Sequence, residues 1–110
     1  MKLYMSGCIS NKDKKLELRN IALFFKAEAR LRKYYPEFEI HNPARYCHRG
    51  WTWEIYLAHD LKYLVDNRPV MYMLNGWELS RGALLEWEFA RVLGLNVLYE
   101  AEVMRGHTNL

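Results

Sequence analysis

The chain has 110 residues, of which 51% are apolar and 15% aromatic, and its net charge is +3. This length fits one domain, and this composition is that of an ordinary globular protein with a core. The small positive charge is compatible with an anionic small ligand, but it lacks the basic stripe of a nucleic-acid binder. Two cysteines, Cys8 and Cys47, are too few for a disulfide framework.

These features predict a cytoplasmic protein. No apolar run approaches the length of a transmembrane helix. Residues 1–7 lack the long apolar segment and cleavage site of a signal peptide. Neither a metal nor another cofactor is expected, because the four histidines show no metal-ligand spacing. They are His41, His48, His59 and His107.

In chain order, the hydrophobic pattern predicts alternating strands and helices. The predicted strands are residues 2–6, 38–41, 69–74 and 96–99. The predicted helices are residues 13–34, 51–66 and 80–93, the last of them largely buried. Pro36 ends the first helix, and Gly94 closes the third as its C-cap. Residues 44–50 are expected to form a polar loop, and residues 101–110 a C-terminal tail.

This alternation is typical of an α/β fold, here a single domain over residues 1–100. We predict a three-layer open parallel sheet of four to five strands, flavodoxin-like or Rossmann-like, with strand order 2-1-3-4. In such sheets, ligands bind at the carboxyl ends of the strands. The segments at that edge are Ser6-Gly7-Cys8, His41-Asn42-Pro43 and Leu74 to Ser80.

The most informative segment runs from Leu74 to Glu86 and combines a strand end, a glycine turn and a helix start. The first turn of a helix has unpaired N–H groups and a positive dipole end, which favour an anion or a sugar. Ser80 is predicted as the N-cap. Glu86 follows Gly82 by one turn, so we expect its carboxylate over the bare glycine, with room for a ligand between them.

Two carboxylates fall on apolar helix faces. Glu86 lies on a helix that is apolar around most of its circumference, and Asp60 falls within the apolar stripe of helix 51–66. A buried carboxylate needs a partner or a polar cleft. Each is therefore either a functional group or a structural one, and Arg81 is a candidate partner for Asp60. Cleavage of glycosidic bonds uses such a pair, one as nucleophile and the other as acid.

Three further features have weaker support. Glu78 lies just before the third helix and is either a rival acid or a surface charge. Cys8 has no evident His or Asn partner, which argues against a thiol nucleophile. The cationic and aromatic residues 45–53 either bind single-stranded nucleic acid or pack into the core.

The chain resembles the nucleoside 2-deoxyribosyltransferase-like superfamily and, more closely, the small phage and bacterial proteins of the family DUF4406. The resemblance covers nearly the whole chain. The matching motifs are Tyr4-Met5-Ser6-Gly7, Asn42-Pro43, Trp53 with Tyr56 and Asp60-Leu61, Gly76-Trp77-Glu78-x-Ser80-x-Gly82-Ala83-x-x-Glu86, and Ala90 with Leu93-Gly94.

The resemblance implies an N-glycosidase that acts on a nucleotide or nucleoside. It makes Glu86 the nucleophile at C1′ of the deoxyribose and Asp60 the carboxylate near the base. It also makes Ser80 a contact of a 5′-phosphate, as in the 2′-deoxynucleoside 5′-phosphate N-hydrolases. The transferases carry an acid at this position, so the chain is more similar to the hydrolases. Cys8 and Ser10 replace a serine and an arginine of those hydrolases. The predicted substrate-binding residues are Tyr4, Gly7, Cys8, Asn42, Trp77, Ser80 and Gly82.

Two further expectations concern binding and assembly. The alternative function is a non-catalytic module that binds a nucleotide or a nucleotide-derived signal in the same cleft. The chain carries four Trp and eight Tyr, and aromatic residues are enriched at interfaces. We therefore predict a homodimer or higher homo-oligomer with helices 51–66 and 80–93 near the interface, as the resemblance also implies. The alternative is a monomer in which Trp51 and Trp77 line the cleft.

Overall fold

The computed structural model describes residues 1–47 and 49–108, with the side chains of residues 107 and 108 excepted. Within these residues the chain forms four strands and four α-helices. The strands are β1 (Lys2–Ser6), β2 (Glu39–His41), β3 (Val70–Met73) and β4 (Val97–Tyr99). The helices are α1 (Lys14–Tyr34), α2 (Trp53–Asn67), α3 (Arg81–Leu93) and α4 (Glu100–Thr108). Short 3-10 helices form at Pro43–Tyr46 and Trp77–Leu79.

The four strands form one parallel sheet in the order β2-β1-β3-β4, which confirms the predicted fold and strand order. Tyr4 of β1 is paired with His41 of β2 on one side and with Met71 of β3 on the other. Since all strands run the same way, their carboxyl ends meet at one edge. The order of connection reverses between β1 and β3, where such sheets bind ligands.

Helices cover both faces of the sheet and give the predicted three layers. Because side chains alternate along a strand, Leu3 and Met5 of β1 pack against α1, where Phe24 is fully buried. Val103 of α4 adds to the same layer. Tyr4 points to the opposite face, into the core beneath α2 and α3.

Side-chain caps begin the three long helices, as their sequences indicate. Asp13, Thr52 and Ser80 each accept a hydrogen bond from a backbone N–H of the following turn. Ser80 is thus confirmed as the N-cap of α3. Gly94 ends α3 with a φ of 72°, a left-handed conformation that glycine adopts without strain, and this confirms the predicted C-cap.

The prediction of a C-terminal tail is wrong, because residues 100–108 form helix α4. Glu100 anchors the start of this helix. Its buried carboxylate accepts a hydrogen bond from the Asn75 N–H (3.0 Å) and forms an ion pair with Arg30 (3.3 Å). These partners are distant in sequence, so the polar composition of the segment did not reveal them. The predicted polar loop also contains ordered structure, since its first residues belong to the 3-10 helix Pro43–Tyr46.

Helix α3 is less buried than its composition indicates. Ala83, Glu86 and Ala90 are buried, whereas Val92 is 84% exposed and Leu84 is also exposed. The expectation of a largely buried helix is therefore wrong for its outer face, because one sheet face covers only one side of a helix. In the described part of the chain, no helix has the length and apolar character needed to cross a membrane.

Candidate functional site

A cavity of about 610 Å³ opens at the carboxyl edge of β1 and β3. Its volume lies in the range of small-molecule sites. Its walls come from the loop after β1, the start of α1, the segment around Tyr46, one face of α2 and the first turns of α3. Seven of the nine predicted site residues line it: Tyr4, Gly7, Cys8, Asp60, Ser80, Gly82 and Glu86. The other two, Asn42 and Trp77, do not line it.

Glu86 lies on the buried face of α3 and is only 6% exposed. Its two carboxylate oxygens accept hydrogen bonds from the hydroxyls of Tyr4 and Ser6, each 2.7 Å long. Both donors belong to β1, so the sheet fixes the orientation of the carboxylate. Ser6 was not among the predicted site residues, although it ends β1 at the carboxyl edge.

Opposing influences determine the pKa of Glu86. Burial has the largest effect and raises the pKa, and the nearby Asp60 carboxylate raises it further. The hydrogen bonds from Ser6 and Tyr4 lower it, and the net result is a pKa of about 8. Burial, with Glu86 next, also raises the pKa of the Tyr4 hydroxyl, which keeps it a neutral donor. Glu86 therefore holds a proton near neutral pH, close to the Asp60 carboxylate.

Asp60 faces the same cavity from α2 and is 8% exposed. Its Oδ1 accepts a hydrogen bond of 2.5 Å from the Tyr46 hydroxyl and lies 3.2 Å from Nδ1 of His59. Arg81 is not its partner, because the Arg81 guanidinium lies 4.7 Å from the ring centroid of Trp53. Asp60 is thus held by neighbours on its own side of the cavity.

Tyr46 is a site residue that the sequence analysis missed. Besides its bond to Asp60, its hydroxyl lies 2.9 Å from Nε2 of His41, at the end of β2. Burial and the negative charge of Asp60 raise the pKa of Tyr46, so its hydroxyl stays protonated. Its only sequence signal was its place shortly after β2, at the carboxyl edge.

The N-terminus of α3 forms one wall of the cavity. Ser80, Arg81 and Gly82 line it, and N–H groups at a helix start lack intrahelical acceptors. A Cβ on Gly82 would lie 3.7 Å from Nε1 of Trp53. The space beside Gly82 is therefore bounded by Trp53. The Glu86 carboxylate is directed towards the β1 hydroxyls. The space expected for a ligand between Gly82 and Glu86 is therefore bordered by the Trp53 ring.

Asn42 is buried behind the cavity rather than in it. Its Nδ2 donates to Glu28 (3.0 Å), and its Oδ1 accepts from the Ala44 N–H (2.9 Å), which caps the 3-10 helix. Glu28 also accepts from Arg45 at 2.6 Å. Asn42 therefore positions the short helix that carries Tyr46, and it does not line the cavity.

Trp77 also lies away from the cavity lining. Its ring packs 5.3 Å from that of Trp87 and 6.0 Å from that of Tyr99, between centroids. Glycine is needed at position 7 for close packing, because a Cβ there would lie 3.1 Å from Cβ of Leu74. The predicted contacts at Trp77 and Gly7 thus have structural explanations, although Gly7 still borders the cavity.

The remaining candidates are placed as follows. Burial raises the pKa of the Cys8 thiol, whose Sγ donates to the Gly76 carbonyl, so it is a poor nucleophile at neutral pH. Glu78 is exposed and does not line the cavity. His48 lies outside the described residues. In the part of the chain that is described, no three His, Cys, Asp or Glu side chains converge as metal ligands.

Comparison with known proteins places the chain in a family. No curated protein and no solved structure matches it significantly. One family model, the domain of unknown function DUF4406, matches residues 1–99. This match spans all four strands and both cavity carboxylates. The chain therefore belongs to the DUF4406 family.

Proposed function

We propose that this protein is an N-glycosidase that cleaves the bond between the base and the sugar of a nucleotide or nucleoside. The observation that carries the proposal is the pair of buried carboxyl groups, Glu86 and Asp60, that face one cavity from different helices. Most glycosidases use two such carboxyl groups, one as nucleophile and the other as acid. The motifs shared with the nucleoside 2-deoxyribosyltransferase-like superfamily support the same chemistry.

In this mechanism the ionised Glu86 attacks C1′ of the sugar. A covalent glycosyl ester forms on one carboxylate oxygen as the bond from C1′ to the base breaks. The hydroxyls of Tyr4 and Ser6 hold the carboxylate in one orientation, so the reacting oxygen is placed before the sugar arrives. Water then hydrolyses the ester.

Asp60 is the acid that protonates the departing base. Burial and the nearby Asp60 carboxylate raise the pKa of Glu86, so Glu86 holds a proton near neutral pH in the free protein. In the proposed step this proton passes from Glu86 to Asp60 before the reaction, which leaves Glu86 ionised as the nucleophile. Asp60 donates this proton to the departing base. It is then a carboxylate that accepts a proton from the attacking water.

The first turn of α3 is the proposed site for the polar end of the substrate. A phosphate or a sugar hydroxyl suits N–H donors at a helix start. Ser80, rather than an acid, at this position favours the hydrolase branch of the superfamily, and Arg19 and Arg81 add positive charge to the cavity wall. The loop after β1 carries Cys8 and Ser10 in place of the serine and arginine of the hydrolases. The first turn of α3 is therefore the stronger anion site.

The test is release of free base. Nucleosides and their 5′-monophosphates, deoxy and ribo, are incubated with the protein, and the products are separated by chromatography. We expect base release by the wild type and its loss in Glu86→Gln. Glu88→Gln is the matched control, because Glu88 lies on the same helix but is exposed. No release from any substrate, or full activity of Glu86→Gln, would refute the proposal.

A second candidate is a binding module for a nucleotide or a nucleotide-derived signal. The observation that favours it is the raised pKa of Glu86, because a protonated carboxyl is a hydrogen-bonding group rather than a nucleophile. Calorimetry with the same compounds distinguishes the two functions. Stoichiometric binding without base release over hours supports the binding module.

A further inference from the structure

A continuous hydrogen-bond chain runs from β2 to the acid of the cavity. Tyr46 has one hydroxyl proton and donates it to Asp60 Oδ1 over 2.5 Å. Nε2 of His41, 2.9 Å away on the other side, must then be the donor to the Tyr46 oxygen. His41 therefore donates to Tyr46 and Tyr46 donates to Asp60, and the first bond strengthens the second.

The surroundings hold this chain in place. The His41 ring stacks against Tyr63, at 3.9 Å, and against Tyr4, at 5.3 Å, and the rings of these two tyrosines lie 5.8 Å apart, measured between centroids. Burial lowers the pKa of His41, so it is a neutral imidazole near neutral pH. A neutral ring with its proton on Nε2 is the form that donates to Tyr46 without adding charge.

We propose that Tyr46, supported by His41, stabilises the negative charge that develops on Asp60 as this group protonates the departing base. Both act through Asp60, as positioning residues, and the inference rests on the proposed N-glycosidase function. It assigns a role to two residues outside the carboxyl pair and explains why the short helix after β2 is held so firmly by Asn42.

The step balances in atoms and charge. The Asp60 O–H bond breaks, and its proton forms an N–H bond on the base. The C1′–N bond breaks with its electron pair remaining on the base, and the C1′–O bond to Glu86 forms. Negative charge therefore moves from Glu86 to Asp60, where the Tyr46 hydroxyl donates a hydrogen bond of 2.5 Å to Oδ1. A charge-assisted hydrogen bond of this kind strengthens as the carboxylate forms.

Other titratable groups also face Asp60. Glu86 faces it from α3 and Tyr4 from β1. His59 contacts Oδ1 at 3.2 Å from α2, but its side chain is 42% exposed. Solvent weakens the His59 contact, which leaves Tyr46 as the principal donor.

The kinetic test compares Tyr46→Phe with Tyr63→Phe. Both remove one hydroxyl from the aromatic cluster around His41, but only Tyr46 bonds to Asp60. For Tyr46→Phe we expect kcat to fall by about 10- to 100-fold, most for poor leaving bases, with KM nearly unchanged. Tyr63→Phe should retain wild-type kcat, and an equal loss in both variants would overturn the role.

Substitutions at His41 test the direction of the chain. His41→Gln keeps an N–H donor and should retain most activity. His41→Phe lacks the donor, so its kcat should fall, as in Tyr46→Phe. Loss of activity in His59→Gln as large as in Tyr46→Phe would show a general disturbance of Asp60 and would refute the proposal.

Proton NMR of the free protein separates this inference from the proposed function. The Tyr46 hydroxyl, 2.5 Å from Oδ1 of Asp60, should give a downfield hydroxyl resonance that is lost in Tyr46→Phe and kept in Tyr63→Phe. Absence of this resonance from the wild type, or its persistence in Tyr46→Phe, overturns the chain even if the enzyme is active. If the wild type releases no base but shows the resonance, the function fails while the hydrogen-bond chain stands.

Discussion

The stability of this protein should depend on pH through Glu86. In the unfolded chain a glutamate titrates near its ordinary pKa of 4.5, whereas in the folded protein burial and Asp60 raise the pKa to about 8. Between these values the native state binds a proton that the unfolded state lacks. The free energy of unfolding therefore falls as pH rises through this window and becomes constant above it.

The size of the effect follows from the same two values. A pKa difference corresponds to about 1.4 kcal/mol per pH unit, so an ionised Glu86 costs the fold up to about 5 kcal/mol. Between about pH 5 and pH 8 we expect the wild type to lose about 3 kcal/mol through this group. Glu86→Gln should lack that loss, because the amide is neutral and can still bond to the hydroxyls of Tyr4 and Ser6.

Urea unfolding, followed by tryptophan fluorescence from about pH 5 to pH 9, measures this difference. The wild type, Glu86→Gln and the exposed control Glu88→Gln are compared at each pH, so that all other titrating groups cancel. Glu86→Gln should become more stable than the wild type towards pH 8. A constant difference across the range, or a variant that is less stable at high pH, would show that Glu86 is ionised and stabilised in the native state and would refute the reasoning.

The other predictions concern the second carboxylate, the loop behind it, the first turn and assembly. Asp60→Asn should keep its melting temperature but lose turnover, most for poor leaving bases, and should lower the pKa of Glu86; an unchanged rate with normal melting contradicts its role as acid. Asn42→Ala should reduce the free energy of unfolding by about 1–3 kcal/mol in urea titrations, because Glu28 loses a buried donor; wild-type stability would count against this. Gly7→Ala should be destabilising in thermal melts, since its Cβ would lie 3.1 Å from that of Leu74. Light scattering at micromolar concentration should give the mass of a homodimer or its multiple, and a strictly monomeric mass would contradict this.

The sequence by itself determined the layout of the fold. Hydrophobic periodicity is a local property, and so are caps such as Asp13 and Ser80 and the stop at Gly94. These features predicted α1, α2 and α3 to within about two residues and the parallel sheet that links them. The position of Glu86 and Asp60 on apolar faces was also readable, since a charge within an apolar stripe stands out against its neighbours.

Only the tertiary structure decided which groups meet. Tyr46 contacts Asp60 across 14 positions, and Glu100 contacts Asn75 across 25. Such partners are set by how helices pack on the sheet, and no local pattern records that geometry. For this reason the sequence did not show that Asn42 caps a short helix or that the polar C-terminal segment forms helix α4. The protonation of Glu86 is likewise a tertiary property, because burial and a neighbouring charge determine it.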